Sequence, residues 1–319
     1  MKLVLAKEEH SQAVARYFEA HQGEATQRHP ELDRGELLEE KLRHQELAVV
    51  VAFIDQRPVG AGVAVIQNWN QSLEVSTITV SDIEGRGKVK KALFTALCRL
   101  GSKKYGLVFH RVETKPQFRR VQKLGAQCWG VHPTPGARTL DEASLIMGFP
   151  HPGHEKKRIE PPPNAITESA FGQRVRREIA DSEMGVPYPK SYPVGRPRGT
   201  GAPMISGRVW PTYHSKSNHI QIENAAGAHP VEIIKEFKQK VGRKGVEDLR
   251  LTVPVNKERA CRELMAMGFR PVAYLPAWYL RGAHRFDCVQ LNSGLAKRYA
   301  DKDSFMGRAV SRILSELKF

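Results

Sequence analysis

The sequence predicts an α/β protein of two related lobes, each a central mixed sheet flanked by helices. Three observations support this prediction. Strand-like runs alternate with stretches of helical periodicity. The alternation stops in a proline-rich segment and resumes after it. The order of elements before the break is then repeated. We predict an N-terminal lobe at 1–150, a connector with one helix at 151–205, and a C-terminal lobe ending in a helix at 206–319.

Length and composition allow two domains with their own cores. The chain has 319 residues, of which 40% are hydrophobic, and this length exceeds that of one average domain. The formal net charge is +16. This excess of positive charge favours anionic partners, such as nucleic acid or a phosphorylated cofactor. A solvated basic surface without a partner is the alternative.

The cysteine pattern points to reduced thiols. The four cysteines form no CxxC pair and have no histidine pair at metal-ligand spacing, so we expect core thiols, no disulfides and no metal. The cysteines are Cys98, Cys128, Cys261 and Cys288.

The sequence shows no targeting or membrane segment. The first twelve residues hold too short an apolar run for a signal peptide. No stretch approaches 18 apolar residues, and we expect a cytoplasmic protein without a membrane span.

Strand predictions for the N-terminal lobe rest on short apolar or β-branched runs. The runs 47–54 and 59–66 flank Asp55-Gln56-Arg57-Pro58, whose residues favour a turn, and so predict a hairpin. The remaining predicted strands are 2–5, 73–80, 106–113, 128–131 and 143–148.

Helix predictions for this lobe rest on apolar residues at helical spacing. Residues 8–20 and 34–46 have this spacing, and a short helix at 116–124 ends at Gly125, a suitable C-cap. The clearest helix occupies 88–100, where six apolar residues share one face. They are Val89, Ala92, Leu93, Ala96, Leu97 and Leu100.

The second half of the chain shows the same alternation after the connector. Nine of the 20 prolines lie within 151–205, which predicts an extended connector on the surface or between the lobes, with one helix at about 167–183. The predicted strands that follow are 208–213, 219–223, 249–255, 270–275 and 285–291. The predicted helices are 229–241, 257–267 and 302–317.

An internal repeat links the two halves. Strand 73–80 is followed by a helix, a strand, a second helix, Gly125 and two strands. Strand 219–223 is followed by the same series, with Gly268 at the corresponding place. Such order favours duplication of one supersecondary unit. The alternative is that any α/β chain shows this order.

The segment Gly85-Arg86-Gly87-Lys88 joins a predicted strand to a predicted helix. First-turn amides of a helix lack intrahelical acceptors, and the helix dipole favours negative charge there. The glycines allow close approach of a phosphate, and Arg86, Lys88 and Lys90 add positive charge. This segment is therefore the candidate anion site.

Four segments of the first 150 residues resemble the GNAT family of N-acetyltransferases. They are VVVAFIDQRPVGAGVAV, TITVSDIEGRGKVKKALFTAL, KLGAQCWGV and LIMG. In that family the loop after the fourth strand reads Arg/Gln-x-x-Gly-x-Gly/Ala and binds the pyrophosphate of coenzyme A. Here Glu84 stands at the Arg/Gln position, Gly87 at the first glycine and Val89 at the second.

The resemblance implies an acyl-CoA-dependent N-acyltransferase that uses acetyl-CoA or another acyl-CoA as cosubstrate. It implies that the end of the fourth strand and the following loop hold this cosubstrate. The implied residues are Ile78, Val80, Gly85, Arg86, Gly87, Lys88, Val89 and Lys90.

The second lobe resembles the C-terminal half of the same fold. The match lies in VPVNKERACRELMAMGFRPVAYLPAWYL, through Asn256, Ala260, Gly268 and Phe269. It lacks a glycine-rich loop, so we expect it not to bind the cofactor. Its closing strands supply either an acceptor pocket or aromatic packing. The residues concerned are Tyr274, Trp278, Tyr279 and Asp287.

Acyl transfer to an amine requires a base and an acid. In the family the base is commonly a glutamate on the fourth or fifth strand, which implies Glu74 or Glu113; a solvated strand-end carboxylate is the alternative for Glu113. The positions of the family's acid tyrosine fall on Val121 and Leu264, which have no hydroxyl, and its asparagine position falls on Thr114.

Two functions therefore remain open. One is an N-acyltransferase acting on a small-molecule or macromolecular amine. The other is a noncatalytic protein of the same fold, with nucleic acid as a partner. An enzyme that acylates a nucleobase amine or a nucleic-acid-bound protein would combine both.

A run of cations forms either a nucleic-acid surface or a solvated face. These are Arg111, Lys115, Arg119, Arg120 and Lys123.

Overall fold

The computed structural model confirms a mixed α/β class, with sheets flanked by helices. It describes residues 1–21, 23, 29–68, 70–134, 139, 142–150, 157–180, 185–186, 208–214, 218–226, 229–246, 248–294 and 303–317. The strands within these residues are β1 (Lys2–Leu5), β2 (Leu47–Ile54), β3 (Arg57–Gln67), β4 (Ser72–Val80), β5 (Leu107–Val112), β6 (Gln127–His132), β7 (Ser144–Pro150), β8 (Lys157–Ile159), β9 (Gly185–Val186), β10 (Arg208–His214), β11 (His219–Ala226), β12 (Asp248–Pro254), β13 (Arg270–Arg281) and β14 (His284–Asn292). The helices are α1 (Ser11–Ala20), α2 (Gly35–Arg43), α3 (Arg86–Lys104), α4 (Lys115–Gln122), α5 (Ala170–Ala180), α6 (Pro230–Gly242), α7 (Glu258–Ala266) and α8 (Phe305–Glu316).

The chain forms two compact units. The first contains Met1–Arg111 and Gly148–Glu155, and the second contains Val112–Met147 and Lys156–Phe319. The unit boundary thus falls earlier in the chain than the lobe boundary expected at residue 150. Strand β6 pairs with β13, and the Phe118 ring of α4 lies 5.7 Å from the Phe305 ring of α8. These contacts attach α4 and β6 to the second unit.

The sheet of the first unit has the order β1-β2-β3-β4-β5. Neighbours from β1 to β4 are antiparallel, whereas β4 and β5 are parallel and α3 connects them. The hairpin turn is shorter than the expected four residues, because Asp55 and Gln56 alone form it with φ of 48° and 64°. Pro58 is already a strand residue opposite Phe53.

Helix α3 packs closely on one face of this sheet. A Cβ at Gly60 would lie 3.1 Å from a Leu93 methyl group, and one at Gly62 would lie 3.0 Å from a Leu97 methyl group. The opposite face is covered by α1 and α2, whose Phe18 and Leu38 are fully buried. The sheet is thus packed between α3 on one face and α1 and α2 on the other, and this packing fixes the start of α3 relative to β4.

The second unit has a sheet of order β7-β6-β13-β14-β12-β11-β10, to which β7 contributes residues 144–147. Strand β8 lies beside β14, and β9 lies beside β8. Strands β11 and β12 are parallel, whereas β12, β14 and β13 are antiparallel neighbours. Gly130 has φ of 148°, and a Cβ there would lie 2.3 Å from Ala273, so the approach of β6 to β13 requires glycine.

The predicted connector contributes directly to the core of the second unit. Strand β8 pairs in parallel with the start of β14, and Phe171 and Val175 of α5 are fully buried. The prolines predicted an extended connector on the surface or between the lobes, with one helix at about 167–183, and α5 lies within that range. Three segments of the connector, 151–156, 181–184 and 187–205, lie outside the described residues.

The repeated order of elements is present in the structure. The series β4-α3-β5-α4-β6-β7 corresponds to β11-α6-β12-α7-β13-β14. Gly125 and Gly268 follow α4 and α7 with φ of 87° and 91°. A left-handed residue at this place is the common way to end a helix. The two series therefore share their helix ends as well as their order.

Candidate active site

The first turn of α3 is open above its backbone. Gly85 precedes the helix with φ of 76°, and a Cβ at Gly85 or Gly87 would meet nothing within 4 Å. The amides of Arg86 and Lys88 donate to the carbonyls of Ile83 (3.2 Å) and Gly85 (2.8 Å). No described residue accepts a hydrogen bond from the Gly87 amide. An anion at this turn would meet that amide and the positive end of the helix dipole.

Charged side chains surround this turn. Arg86 and Lys88 are exposed, and an Arg86 guanidinium nitrogen lies 4.0 Å from the Asp82 carboxylate. Glu84 is also exposed and lines a shallow cleft of about 500 Å³ with Asp55 and Arg57. The acidic and basic groups partly cancel, so the amide and dipole remain the fixed features favouring an anion.

Three of the expected cofactor residues lie beneath the helix rather than above it. Val89 is buried, and its methyl group lies 3.2 Å from the Cβ position of Gly60. Val80 is buried on the same side, and Ile78 is half-buried there, near Gly62. Their side chains fix α3 on the sheet. Any ligand contact along this part of β4 would involve its backbone. Lys90 is half-buried.

Strand β4 has an open edge beside β5. Its pairing with β5 covers Leu73–Val75, opposite Val108–His110, and no described strand pairs with this edge from Ser76 to Val80. On the other edge the register with β3 shifts: Val63 faces Thr77, whereas Ala64 faces Val75. Ser76 is the extra residue of this bulge. Bulges free backbone groups and re-aim side chains, and they are frequent beside active sites.

The two carboxylates proposed as the base differ in environment. Glu74 is only 7% exposed, and its oxygens contact the Arg111 guanidinium at 2.7 and 2.9 Å. Glu113 is exposed, and its backbone amide donates to Gln117 Oε1 as part of the Thr114 cap of α4. Glu74 belongs to the first unit and Glu113 to the second. The roles of both carboxylates stay predictions.

The residues proposed to line an acceptor pocket fall into different environments. Tyr274 and Asp287 are fully buried, and the Tyr274 hydroxyl donates to Asp287 Oδ2 at 2.6 Å. Trp278 is buried, whereas Tyr279 is 41% exposed. Their part in binding an acceptor stays a prediction, since the buried pair also has a structural role.

That structural role depends on Arg158, which sequence reasoning missed. Arg158 donates from Nε and Nη2 to the two Asp287 oxygens, at 2.7 and 2.5 Å. The backbone amide of Ala277, a residue with φ of 54°, also donates to Asp287. Burial opposes the charge of Arg158, but the Asp287 carboxylate outweighs it and raises the pKa of Arg158. Burial and the same carboxylate raise the pKa of Tyr274.

Cys261 and Cys288 are buried, as expected of core thiols, whereas Cys98 and Cys128 are half-buried. All four cysteines are free. Burial raises the pKa of Cys98 and of Cys261 to about 12, and it raises the pKa of Cys288 well above its usual value. Thiols with such pKa values stay protonated at neutral pH and are poor nucleophiles.

Two serine–histidine pairs along β4 also escaped sequence reasoning. Ser76 Oγ lies 2.6 Å from His29 Nε2, and Ser81 Oγ lies 2.9 Å from His21 Nε2. The partners are 47 and 60 residues apart in the chain. Neither histidine belongs to a local motif, and only the packing of the N-terminal segments against β4 brings the pairs together.

The described residues contain no group of three or more His, Cys, Asp or Glu side chains placed to hold a metal ion. None of the helices in this part of the chain combines the length and the hydropathy of a membrane span.

Comparisons with known proteins gave likenesses among solved structures. We found no matching family model and no similar curated protein. The aminoglycoside 6'-acetyltransferase type Ii is 16% identical, covers 47% of this chain and 97% of its own, and has a TM-score of 0.35. The ribosomal-protein-alanine N-acetyltransferase of Brucella melitensis is 17% identical, with coverages of 47% and 99% and a TM-score of 0.37. An acetyltransferase of the GNAT family from Desulfovibrio desulfuricans has the same four values. Over about half its length, this chain is therefore similar to acetyltransferases of the GNAT family.

Proposed function

We propose that the first unit binds an acyl-CoA and transfers its acyl group to an amine. One observation carries this proposal: the open edge of β4 begins at a bulge and leads to the open first turn of α3. An anion site and an unpaired strand edge thus lie in succession along one stretch of chain. Acetyl-CoA and longer acyl-CoA molecules share the groups that these two features would bind.

The pyrophosphate would bind at the first turn of α3. The Gly87 amide and the side chains of Arg86 and Lys88 would meet its oxygens. Glycine at 85 and 87 keeps side-chain atoms out of this space. The exposed Glu84 opposes the binding of an anion, and the two cations offset it.

The pantetheine arm would run along β4. From Val80 to Ser76 the strand spans about 13 Å at roughly 3.3 Å per residue. The amide groups of an extended arm can pair with an unpaired strand edge, as an added peptide strand does. This pairing would place the thioester beside the bulge at Ser76.

The bulge would help activate the thioester. A backbone N–H released from the ladder can donate to the carbonyl oxygen, where negative charge develops during acyl transfer. Glu74 lies two residues before Ser76 and would serve as the base for the amine, provided that its ion pair with Arg111 opens. The acceptor is a small-molecule or macromolecular amine.

Calorimetric titration with coenzyme A tests this proposal. We expect saturable binding, and we expect pantetheine, which lacks the pyrophosphate, to bind more weakly. Because phosphate contacts are electrostatic, the coenzyme A affinity should fall as salt is raised while that of pantetheine should not. A titration without heat in the folded protein at high ligand concentration would contradict the proposal.

A nucleic-acid-binding function is the second candidate, because α4 presents four exposed cations. The side chains of Lys115, Arg119, Arg120 and Lys123 are exposed along it. The double variant Arg119→Gln/Arg120→Gln should weaken binding of an RNA or DNA probe and lower its salt dependence. Arg259→Gln is the matched control, because Arg259 is 94% exposed on another helix. No probe shift at low salt would exclude this candidate.

A further inference from the structure

Three side chains of the first unit form a chain of contacts at the bulge of β4. His29 Nε2 lies 2.6 Å from Ser76 Oγ, and His29 Nδ1 lies 3.4 Å from Glu31 Oε1. The side chains of His29 and Glu31 are 13% and 19% exposed. A hydroxyl, an imidazole and a carboxylate thus follow one another in the order that activates a serine nucleophile.

The surroundings of the imidazole determine where its proton lies. Glu31 faces Nδ1, so the tautomer with a proton on Nδ1 is the favoured one. Nε2 is then a hydrogen-bond acceptor, and the Ser76 hydroxyl donates to it. The base is therefore poised to remove the proton of Ser76, and the carboxylate orients the ring.

The position of Ser76 gives this arrangement access to a substrate. Ser76 is half-buried and is the extra residue of the bulge, so its placement differs from that of a regular strand residue. It also begins the part of β4 whose edge no described strand occupies. A thioester extended along that edge would bring its carbonyl carbon to Ser76.

We propose that Ser76 is an acyl-accepting nucleophile, with His29 as its base and Glu31 as a positioning residue. The acyl-CoA substrate of this step rests on the function proposed above. The serine oxygen bonds to the thioester carbonyl carbon, and the carbon–sulfur bond breaks. The serine proton passes to His29 Nε2 and then to the departing thiolate, which leaves as free coenzyme A. In the second step His29, in place of Glu74, is the base for the amine: an amine attacks the serine ester and loses its proton to His29 Nε2, and that proton passes to the serine oxygen as it leaves.

The Ser81–His21 pair supplies an internal control. Its oxygen–nitrogen distance of 2.9 Å is similar, but His21 Nδ1 contacts the Tyr17 backbone carbonyl at 2.8 Å. In this pair a carbonyl occupies the place that Glu31 occupies in the first. Ser81 is half-buried, like Ser76. The two serines therefore test whether pairing with histidine is sufficient for reactivity.

A fluorophosphonate probe tests the nucleophile without coenzyme A. We expect the probe to label the folded chain at Ser76, as located by peptide mass spectrometry. Ser76→Ala should abolish labelling, Ser81→Ala should leave it unchanged, and His29→Gln should slow it about 100-fold or more. Glu31→Gln should give an intermediate rate and should change the pH profile of labelling, which a merely structural role would not do.

Two readouts separate this inference from the proposed function. Incubation with acetyl-CoA, followed by acid quenching, should leave one acetyl group on Ser76. If coenzyme A binds but neither the probe nor the acetyl group reaches Ser76, the nucleophile is excluded and the proposed function stands. If the probe labels Ser76 but coenzyme A does not bind, the proposed function fails and the reactive serine stands. Thermal unfolding of each variant identifies any loss of reactivity that is due to misfolding. The variant Ser76→Cys should be labelled at residue 76 by a thiol reagent.

Discussion

The two strand–helix junctions of the repeat, β4–α3 and β11–α6, share their place in the topology but differ in chemistry. Helix α3 follows Gly85 and has an open first turn, whereas α6 begins with Pro230 and carries Glu232 in its first turn. Proline lacks the amide donor, and a carboxylate there competes with any anion. The β11–α6 junction therefore lacks the features that would favour an anion at the first turn of α3.

The polar residues of the two units differ in how far they are buried. In the second unit, Arg158, Tyr274 and Asp287 are buried against one another. In the first unit, His29 and Ser76 are half-buried at the bulge, and Arg86 is exposed. Buried partners satisfy one another and hold a fold together, whereas groups beside an open edge remain available to a ligand. Four variants test this contrast, from the largest expected effect to the smallest.

The largest effect is expected from Arg158→Ala. This change leaves the buried Asp287 carboxylate without its ion-pair partner, and such a loss costs about 3–5 kcal/mol in free energy of unfolding. Denaturant unfolding of the second unit measures it. Arg259→Ala is the control, since its ion pair with Glu263 is exposed and its loss should leave the unfolding midpoint unchanged. Unchanged stability of Arg158→Ala would contradict the structural role of the buried Arg158–Asp287 pair.

The second effect is on coenzyme A affinity. Gly87→Glu places a side chain and a negative charge in the open space above α3, without a clash inside the protein. We expect an affinity loss of about 100-fold, which corresponds to about 2.7 kcal/mol. Gly242→Glu is the matched control, because a side chain there also meets nothing within 4 Å. Calorimetry should show unchanged affinity for that variant, and an equal loss in both would remove the anion site from α3.

The third effect concerns the packing of the two crossover helices. A Cβ at Gly101 in α3 would lie 2.2 Å from a Val108 methyl group, so Gly101→Ala should destabilise the first unit by about 1–3 kcal/mol. Gly242→Ala in α6 has open space and should be neutral or slightly stabilising. Thermal unfolding compares the two. A stabilising Gly101→Ala would show that α3 can move away from the sheet.

The smallest effect is expected from Asp82→Asn. Asp82 is fully exposed and lies 4.0 Å from an Arg86 nitrogen, so it competes weakly with a phosphate for that guanidinium. Its neutralisation should tighten coenzyme A binding about twofold at low salt, because exposed ion pairs contribute little. The gain should disappear at high salt. Weaker binding would mean that Asp82 orders the loop rather than competing with the ligand.

Much of the fold could be predicted because it depends on neighbouring residues. Helical spacing from Val89 to Leu100 located α3, although the helix extends from Arg86 to Lys104. Gly125 and Gly268 were recognised as helix ends, and both have the left-handed backbone that only glycine adopts readily. The glycine-rich segment was placed at a helix start. Each of these features follows from conformational preferences over a few residues.

The candidate site could be predicted only in part. The glycine-rich segment was predicted at the start of α3, where it lies. Val80 and Val89 are buried beside Gly60, and their part in holding a cofactor stays a prediction. The bulge at Ser76 was not foreseen, and a shift of one residue along a strand reverses the side that each later side chain faces. The pair of Ser76 with His29 depends on that shift.

Local periodicity and turn chemistry thus predicted the α/β class, the repeated order of elements and the position of the glycine-rich segment at a helix start. Pairing over long distances along the chain decided the rest. Residues 112–147 joined the second unit, β8 paired with β14, and Arg158 met Asp287 across 129 residues. Such contacts depend on strand register and on which faces pack together. A single sequence carries no local signal for them, because their energy exists only once the distant segments have come together.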